Sequence, residues 1–113
     1  MPESSRDELK RRLQQYLGAD NIIVDQESQR PYECDALTIY CDLPLLVALP
    51  EPTVQGQQVF PVCHQLNVPV VARGAGTGLC AGAIPHPEGV LLAITKLDRI
   101  VNIDALARTA RVQ

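Results

Sequence analysis

The residues with the clearest chemical potential lie in one stretch, Arg73-Gly74-Ala75-Gly76-Thr77-Gly78-Leu79-Cys80-Ala81-Gly82-Ala83, a loop with four glycines. It follows directly on an apolar, β-branched run at residues 68–72, so a buried strand delivers it. Glycines at 74, 76 and 78 leave backbone N–H groups uncovered by side chains, and a concave run of amides binds anions, phosphates above all. Thr77 adds a hydroxyl that can donate to a phosphate oxygen. Arg73 brings a fixed positive charge, unless its side chain serves the fold instead. The chemistry so defined is the cradling of a nucleotide pyrophosphate. The competing reading is a turn chosen only for its backbone angles, but so many glycines straight after a buried strand favour binding.

Two familiar phosphate loops do not fit. A Walker loop needs Gly-Lys-Ser/Thr, and no lysine follows these glycines. The dinucleotide fingerprint G-x-G-x-x-G/A is met formally by Gly76, Gly78 and Ala81, with Asp98 twenty residues beyond Gly78. That fingerprint must open a helix, however. Gly82, Pro85 and Pro87 argue against one, and residues 89–94 read as a strand. The site is therefore expected in a loop between strands.

The elements that must position this loop follow from periodicity and breakers. Residues 4–17 read as a helix capped by Ser4 or Ser5, ended by Gly18, with Leu9, Leu13, Tyr16 and Leu17 on one face. Residues 21–24 read as a short extended piece and residues 25–42 as an irregular lead. Residues 43–49 read as a buried strand ended by Pro50 and Pro52. Thr53 is the expected N-cap of a helix to about Leu66, with Pro61 either kinking it or marking a late start. With the strand at 68–72 this makes a strand–helix–strand unit, predicting a parallel pair with a right-handed crossover. Residues 100–103 and 109–112 read as two more strands, with a turn at Asn102-Ile103-Asp104 and the residues after it. The last strand is cut at Val112-Gln113, which reads as a truncated domain.

Composition narrows the class. The 113 residues are 46% hydrophobic and 20% charged, which describes an ordinary globular chain of one domain at most. A net charge of −3 argues against a nucleic-acid surface, which needs clustered Lys and Arg. No apolar run has the length of a membrane span and no signal peptide is visible, so a cytoplasmic location is expected. Cys34, Cys41, Cys63 and Cys80 form no C-x-x-C pair and are not spaced with His64 or His86 as zinc ligands; reduced structural thiols are expected, and no metal. Glu33 and Asp35 read as solvated or capping acids, His64 as a helix-end residue, and Lys96, Asp98 and Arg99 as a charged turn.

The residues from Pro69 through Ala83 resemble the FAD pyrophosphate loop of the vanillyl-alcohol-oxidase, or PCMH, type of FAD-binding domain. The wider sequence is similar to the flavin, D-type, subunits of glycolate oxidase. The similarity is carried by Arg30-Pro31-Tyr32-Glu33-Cys34-Asp35, by Pro44-Leu-Leu-Val-Ala-Leu-Pro50, by Val62-Cys63-His64-Gln65-Leu66-Asn67-Val68-Pro69, by Gly89-Val-Leu-Leu, and by residues 107–113. The resemblance implies an α+β fold, the first subdomain of a PCMH-type domain: an N-terminal helix and lead segment at 1–41, then the front part of the FAD-binding domain at 42–113. It implies non-covalent FAD, since no histidine stands in the loop, with the cofactor held by Arg73, Gly74, Ala75, Gly76, Thr77, Gly78 and Gly82. It also implies a 2-hydroxy acid dehydrogenase, foremost glycolate oxidase, with D-lactate or 2-hydroxyglutarate as alternative substrates. In that class flavin takes hydride from the substrate α-carbon, and electrons leave through partner subunits or a quinone. A companion flavin subunit and an iron–sulfur subunit are the implied partners, with peripheral attachment to the inner membrane through them. No catalytic residue is assigned, because the substrate-binding part is absent from this chain; a truncated, non-catalytic remnant or weak flavin-binding module is the alternative. Cys80 and Ala81 depart from the usual Ser and Gly, Ala36 from Gly, and Pro61 interrupts a usually unbroken helix. Ala81 is accordingly expected in an ordinary conformation, and Cys80 buried.

Overall fold

The computed structural model describes residues 2–113. In chain order the elements are α1 (Glu3–Leu17), a 3-10 turn (Ala19–Asn21), β1 (Ile22–Ile23), α2 (Gln26–Gln29), a second 3-10 turn (Arg30–Tyr32), β2 (Leu46–Ala48) and α3 (Thr53–Gln65). Then follow β3 (Val70–Arg73), β4 (Val90–Ala93), β5 (Ile100–Asp104) and β6 (Thr109–Val112). Four strands make one sheet in the order β1-β2-β4-β3, and β5 and β6 make a separate antiparallel hairpin.

Strand period 2 sorts the apolar residues of β2 and β4 onto two faces. Leu46, Ala48, Val90 and Leu92 meet α1 and α3, packing with Leu9, Leu13, Leu17, Val59, Val62 and Cys63. Val47, Leu49, Leu91 and Ala93 face the other way, against Ile23, Tyr32 and Val71. A strand buried on both faces must be apolar throughout, as both of these runs are. Burial pushes the Cys63 thiol up to about 11, so it stays a neutral core residue.

Several local expectations give way to packing. β2 and β3 run parallel but are not neighbours, because β4 inserts between them and pairs with both, which leaves β3 at the sheet edge with Val70 and Val71 half-buried and Ala72 exposed rather than as the buried strand expected. α1 starts at Glu3 with Pro2 at its N-cap, and neither Ser4 nor Ser5 caps it. Tyr16 lies on the solvent side, 47% exposed, because Leu9, Leu13 and Leu17 already fill the contact with the sheet. Pro52, not Thr53, holds the N-cap of α3, and Pro61 sits inside the helix without ending it. Pro61 is exposed, as is Gln57 one turn earlier, so water can satisfy the carbonyl that proline leaves without a donor. The lead is less irregular than expected: Asp25 caps α2 by accepting from the Ser28 amide, and the Ser28 side chain and then its amide lower the Asp25 carboxyl pKa. β5 runs through Asp104, so the turn falls at residues 105–108, where the Asp104 carboxylate accepts from the Leu106 and Ala107 amides. Lys96 is no mere turn charge. Its ammonium donates to Asn21 and pairs with Glu51, tying the end of β4 to the segment entering β1.

One glycine is required by contact. Gly89 enters β4 where the strand wedges between its two neighbours: its carbonyl accepts from Leu45, and Val90 donates to Pro69. A Cβ on Gly89 would stand 2.7 Å from the Pro69 carbonyl oxygen, which is backbone and cannot swing aside. Gly89→Ala should therefore cost about 1–3 kcal/mol, the usual range for forced overpacking. Urea unfolding of the chain measures it, and an unchanged midpoint would contradict the assigned insertion of β4.

Candidate functional site

β3 delivers Arg73 at its end, and the glycine loop follows with no helix before β4. The dinucleotide-fold reading is thus excluded by structure as well as by sequence. The Arg73 side chain turns inward and is only 8% exposed. Its Nη1 donates to the Cys34 carbonyl at 2.7 Å and the Tyr32 carbonyl at 3.5 Å, and its Nη2 to the Pro31 carbonyl at 3.4 Å. The guanidinium carbon lies 5.8 Å from the Tyr32 ring centroid, within reach of a cation–π contact. The Pro31 and Tyr32 carbonyls belong to a 3-10 turn, whose last carbonyls lack internal partners and attract a cation, and the Cys34 carbonyl follows two residues on.

Gly76 faces that guanidinium. Its φ is +70°, and a Cβ there would overlap the Arg73 side chain. Backbone conformation and contact both exclude a larger residue.

Asp35, 5% exposed, provides the second tie. One carboxylate oxygen accepts from the Leu37 amide at 3.0 Å and the other from the Ala81 amide at 2.9 Å. The Ala36 amide donates to the Gly78 carbonyl at 3.2 Å. The lead segment is therefore the wall against which the loop is set. Of the two roles expected for these acids, Asp35 is a capping acid, though buried, while Glu33 is half-buried and paired with Arg30. Ala81 is not in an ordinary conformation: its φ is +65°, held there by the Asp35 bond. Cys80 is exposed rather than buried, because the loop arches outward at that point.

Between these ties the loop is free to bind. Among the described residues, the amides of Gly74, Ala75, Gly76, Thr77 and Gly78 donate to no protein acceptor. Gly74, Ala75, Thr77 and Gly78 are exposed, and Gly74, Gly78 and Gly82 have open space where a side chain would stand. Unsatisfied amides with cleared approach form an anion cradle, so residues 74–78 fit the pyrophosphate of a dinucleotide. Sequence reasoning missed Tyr32, Cys34 and Asp35 as supports. The one available signal was that a charge ending an apolar strand needs acceptors somewhere.

A mixed sheet, with β2, β4 and β3 parallel and β1 antiparallel at its edge, backed by two helices and carrying an amide-lined glycine loop between adjacent strands with no helix after it, defines the first subdomain of a PCMH-type FAD-binding domain. The family model described as "FAD binding domain" matches residues 44–113, and the chain belongs to that family, whose cofactor is FAD. The chain is 42% identical over 113 residues to glycolate oxidase subunit GlcD of Escherichia coli K12, covering all of this chain and 23% of that protein. It is 26% identical over 95 residues to the mitochondrial D-2-hydroxyglutarate dehydrogenase of Arabidopsis thaliana, covering 84% of this chain and 17% of that one. The fold matches p-cresol methylhydroxylase with substrate bound at a TM-score of 0.77 and 22% identity, over 92% of this chain and 21% of that chain. Among the described residues no helix is long and apolar enough to cross a membrane.

The left-handed Ala81 carries a measurable cost. An L-residue there loses about 1–2 kcal/mol, while glycine adds about 0.4–1 kcal/mol of unfolded-state entropy. Ala81→Gly should raise stability by about 0.5–1 kcal/mol on that balance, read from the urea midpoint. A clear loss of stability would show that Ala81 is not strained.

Proposed function

We propose that the chain is the pyrophosphate-binding part of an FAD-dependent 2-hydroxy acid dehydrogenase, foremost one acting on glycolate. The observation that carries this reading is the run of five exposed or half-exposed amides, Gly74 to Gly78, without protein acceptors. They hold the two phosphates, and the Thr77 hydroxyl donates to one of them. Arg73 belongs to the site as its anchor, setting the loop's starting point from behind, and Gly82 keeps the far side clear. Bound FAD supplies a two-electron acceptor. This chain's residues grip the middle of it, and no histidine stands in the loop to attach it covalently. The glycolate preference rests on the higher identity to the GlcD subunit, with 2-hydroxyglutarate and D-lactate as alternatives. A companion flavin subunit, an iron–sulfur subunit, and a cytoplasmic or membrane-peripheral place belong to the same proposal. A second reading is a non-catalytic flavin-binding module.

FAD titration followed by quenching of flavin fluorescence tests the site. Gly78 has no positive φ and open space around it, so Gly78→Val should fold normally while covering the amides. Affinity should fall at least about tenfold, equivalent to about 1.4 kcal/mol, with unchanged thermal stability. Equal affinity in the variant would refute the cradle. Dye reduction by the full-length protein with glycolate, D-lactate and 2-hydroxyglutarate separates the substrates, and turnover with none of them would favour the module reading.

A further inference from the structure

The two cysteines of the lead segment, Cys34 and Cys41, lie directly opposite each other in an isolated antiparallel bridge. The Asp42 amide donates to the Glu33 carbonyl at 2.9 Å, just outside the pair. Cys34 and Cys41 are therefore a non-hydrogen-bonded pair, the closer kind, with Cα atoms typically about 4.5 Å apart. That lies within the span of about 4.4–6.8 Å that a disulfide accepts. The Cys41 thiol donates to the Thr38 carbonyl at 3.9 Å, and the neighbouring Cys34 thiol helps to raise its pKa. Cys41 is exposed and Cys34 half-buried, so a small reagent can reach the pair, unlike Cys63 in the core.

We propose that Cys34 and Cys41 form a reversible dithiol–disulfide site whose oxidation locks the lead segment onto the glycine loop. The oxidant class is a low-molecular-weight disulfide. The thiolate of Cys41, after losing its proton to solvent, attacks one sulfur of the reagent, forming a mixed disulfide and expelling one thiolate. The Cys34 thiolate then attacks the Cys41 sulfur, closing the protein disulfide and expelling the second. Two protein thiols are oxidised, one reagent disulfide is reduced to two thiols, and the two protons pass to the leaving groups. Partial desolvation, the Cys34 thiol and the charges of Glu33 and Asp35 hold the pKa of the Cys41 thiol above its ordinary value, which slows the first step. The facing geometry favours the second.

The position gives the bond its consequence. Cys34 supplies the carbonyl held by Arg73 at 2.7 Å, and the ring closed by the disulfide would contain Asp35 and Ala36, which hold Ala81 and Gly78. Stapling that ring restricts the departure of Asp35 from the loop. This is a modification site distinct from the cofactor contacts, and it does not depend on which hydroxy acid the protein oxidises.

The chain, incubated with oxidised glutathione in native buffer and in urea, then digested and read by mass spectrometry without reduction, tests it. A Cys34–Cys41 disulfide should form, reversible by dithiothreitol and at least about tenfold faster in native buffer than in urea, as positioning predicts. Cys80→Ser should leave it intact, and Cys41→Ser and Cys34→Ser should each abolish it. In the stapled chain the Ala81 amide should exchange with deuterium several-fold more slowly. Pairing to Cys80 or Cys63, a persistent mixed disulfide, or equal rates in the two solvents would overturn the site. Unchanged exchange at Ala81 would overturn the lock.

Discussion

The structure depends on where a buried guanidinium finds its acceptors. Arg73 ends the edge strand β3 beside β4, which is buried on both faces, and an ion buried there without partners would be costly. The carbonyls of Pro31, Tyr32 and Cys34 satisfy it, and so the lead segment must fold across the end of the sheet. The same guanidinium occupies the space a Gly76 side chain would need. One interaction thereby positions the lead, sets the exit of β3 and forces glycine at the centre of the loop.

Asp35 completes what Arg73 begins. It binds the far limb of the loop through Ala81, while Ala36 binds the middle through Gly78. Held at both limbs by a segment about 40 residues earlier in the chain (|i−j| is 39 for Arg73–Cys34 and 46 for Ala81–Asp35), the loop keeps residues 74–78 out of internal hydrogen bonds. A loop that satisfied its own amides would have nothing to offer a phosphate. The binding capacity of the site thus arises from tethering by side chains outside the binding run, which leaves the run's backbone free.

The strands, the helices and the absence of a helix after the loop were legible because each is a local matter. Apolar runs of strand length bounded by proline or glycine mark β2, β3 and β4, and Leu9, Leu13 and Leu17 mark the buried face of α1. The caps and bends were less legible. Thr53 and Pro61 carry local preferences that pull against continuity of α3, and packing of Val59, Val62 and Cys63 on the sheet overrides them. Ala81 shows the same override at the backbone level, since an isolated alanine does not choose φ +65°.

Residue types and spacing by themselves determined the chemistry available to this protein: a glycine-spaced run of amides after an apolar strand, suited to a pyrophosphate and unable to open a helix. Backbone exposure of that kind is written into the absence of side chains and needs no partner to be read. The tertiary structure alone decided the sheet order, with β4 entering between β2 and β3, the roles of Arg73 and Asp35, and the facing of Cys34 and Cys41. Strand order and the partners of a buried charge are settled by contacts between segments distant in sequence. No local pattern encodes them; they follow from which arrangement satisfies every buried polar group at once.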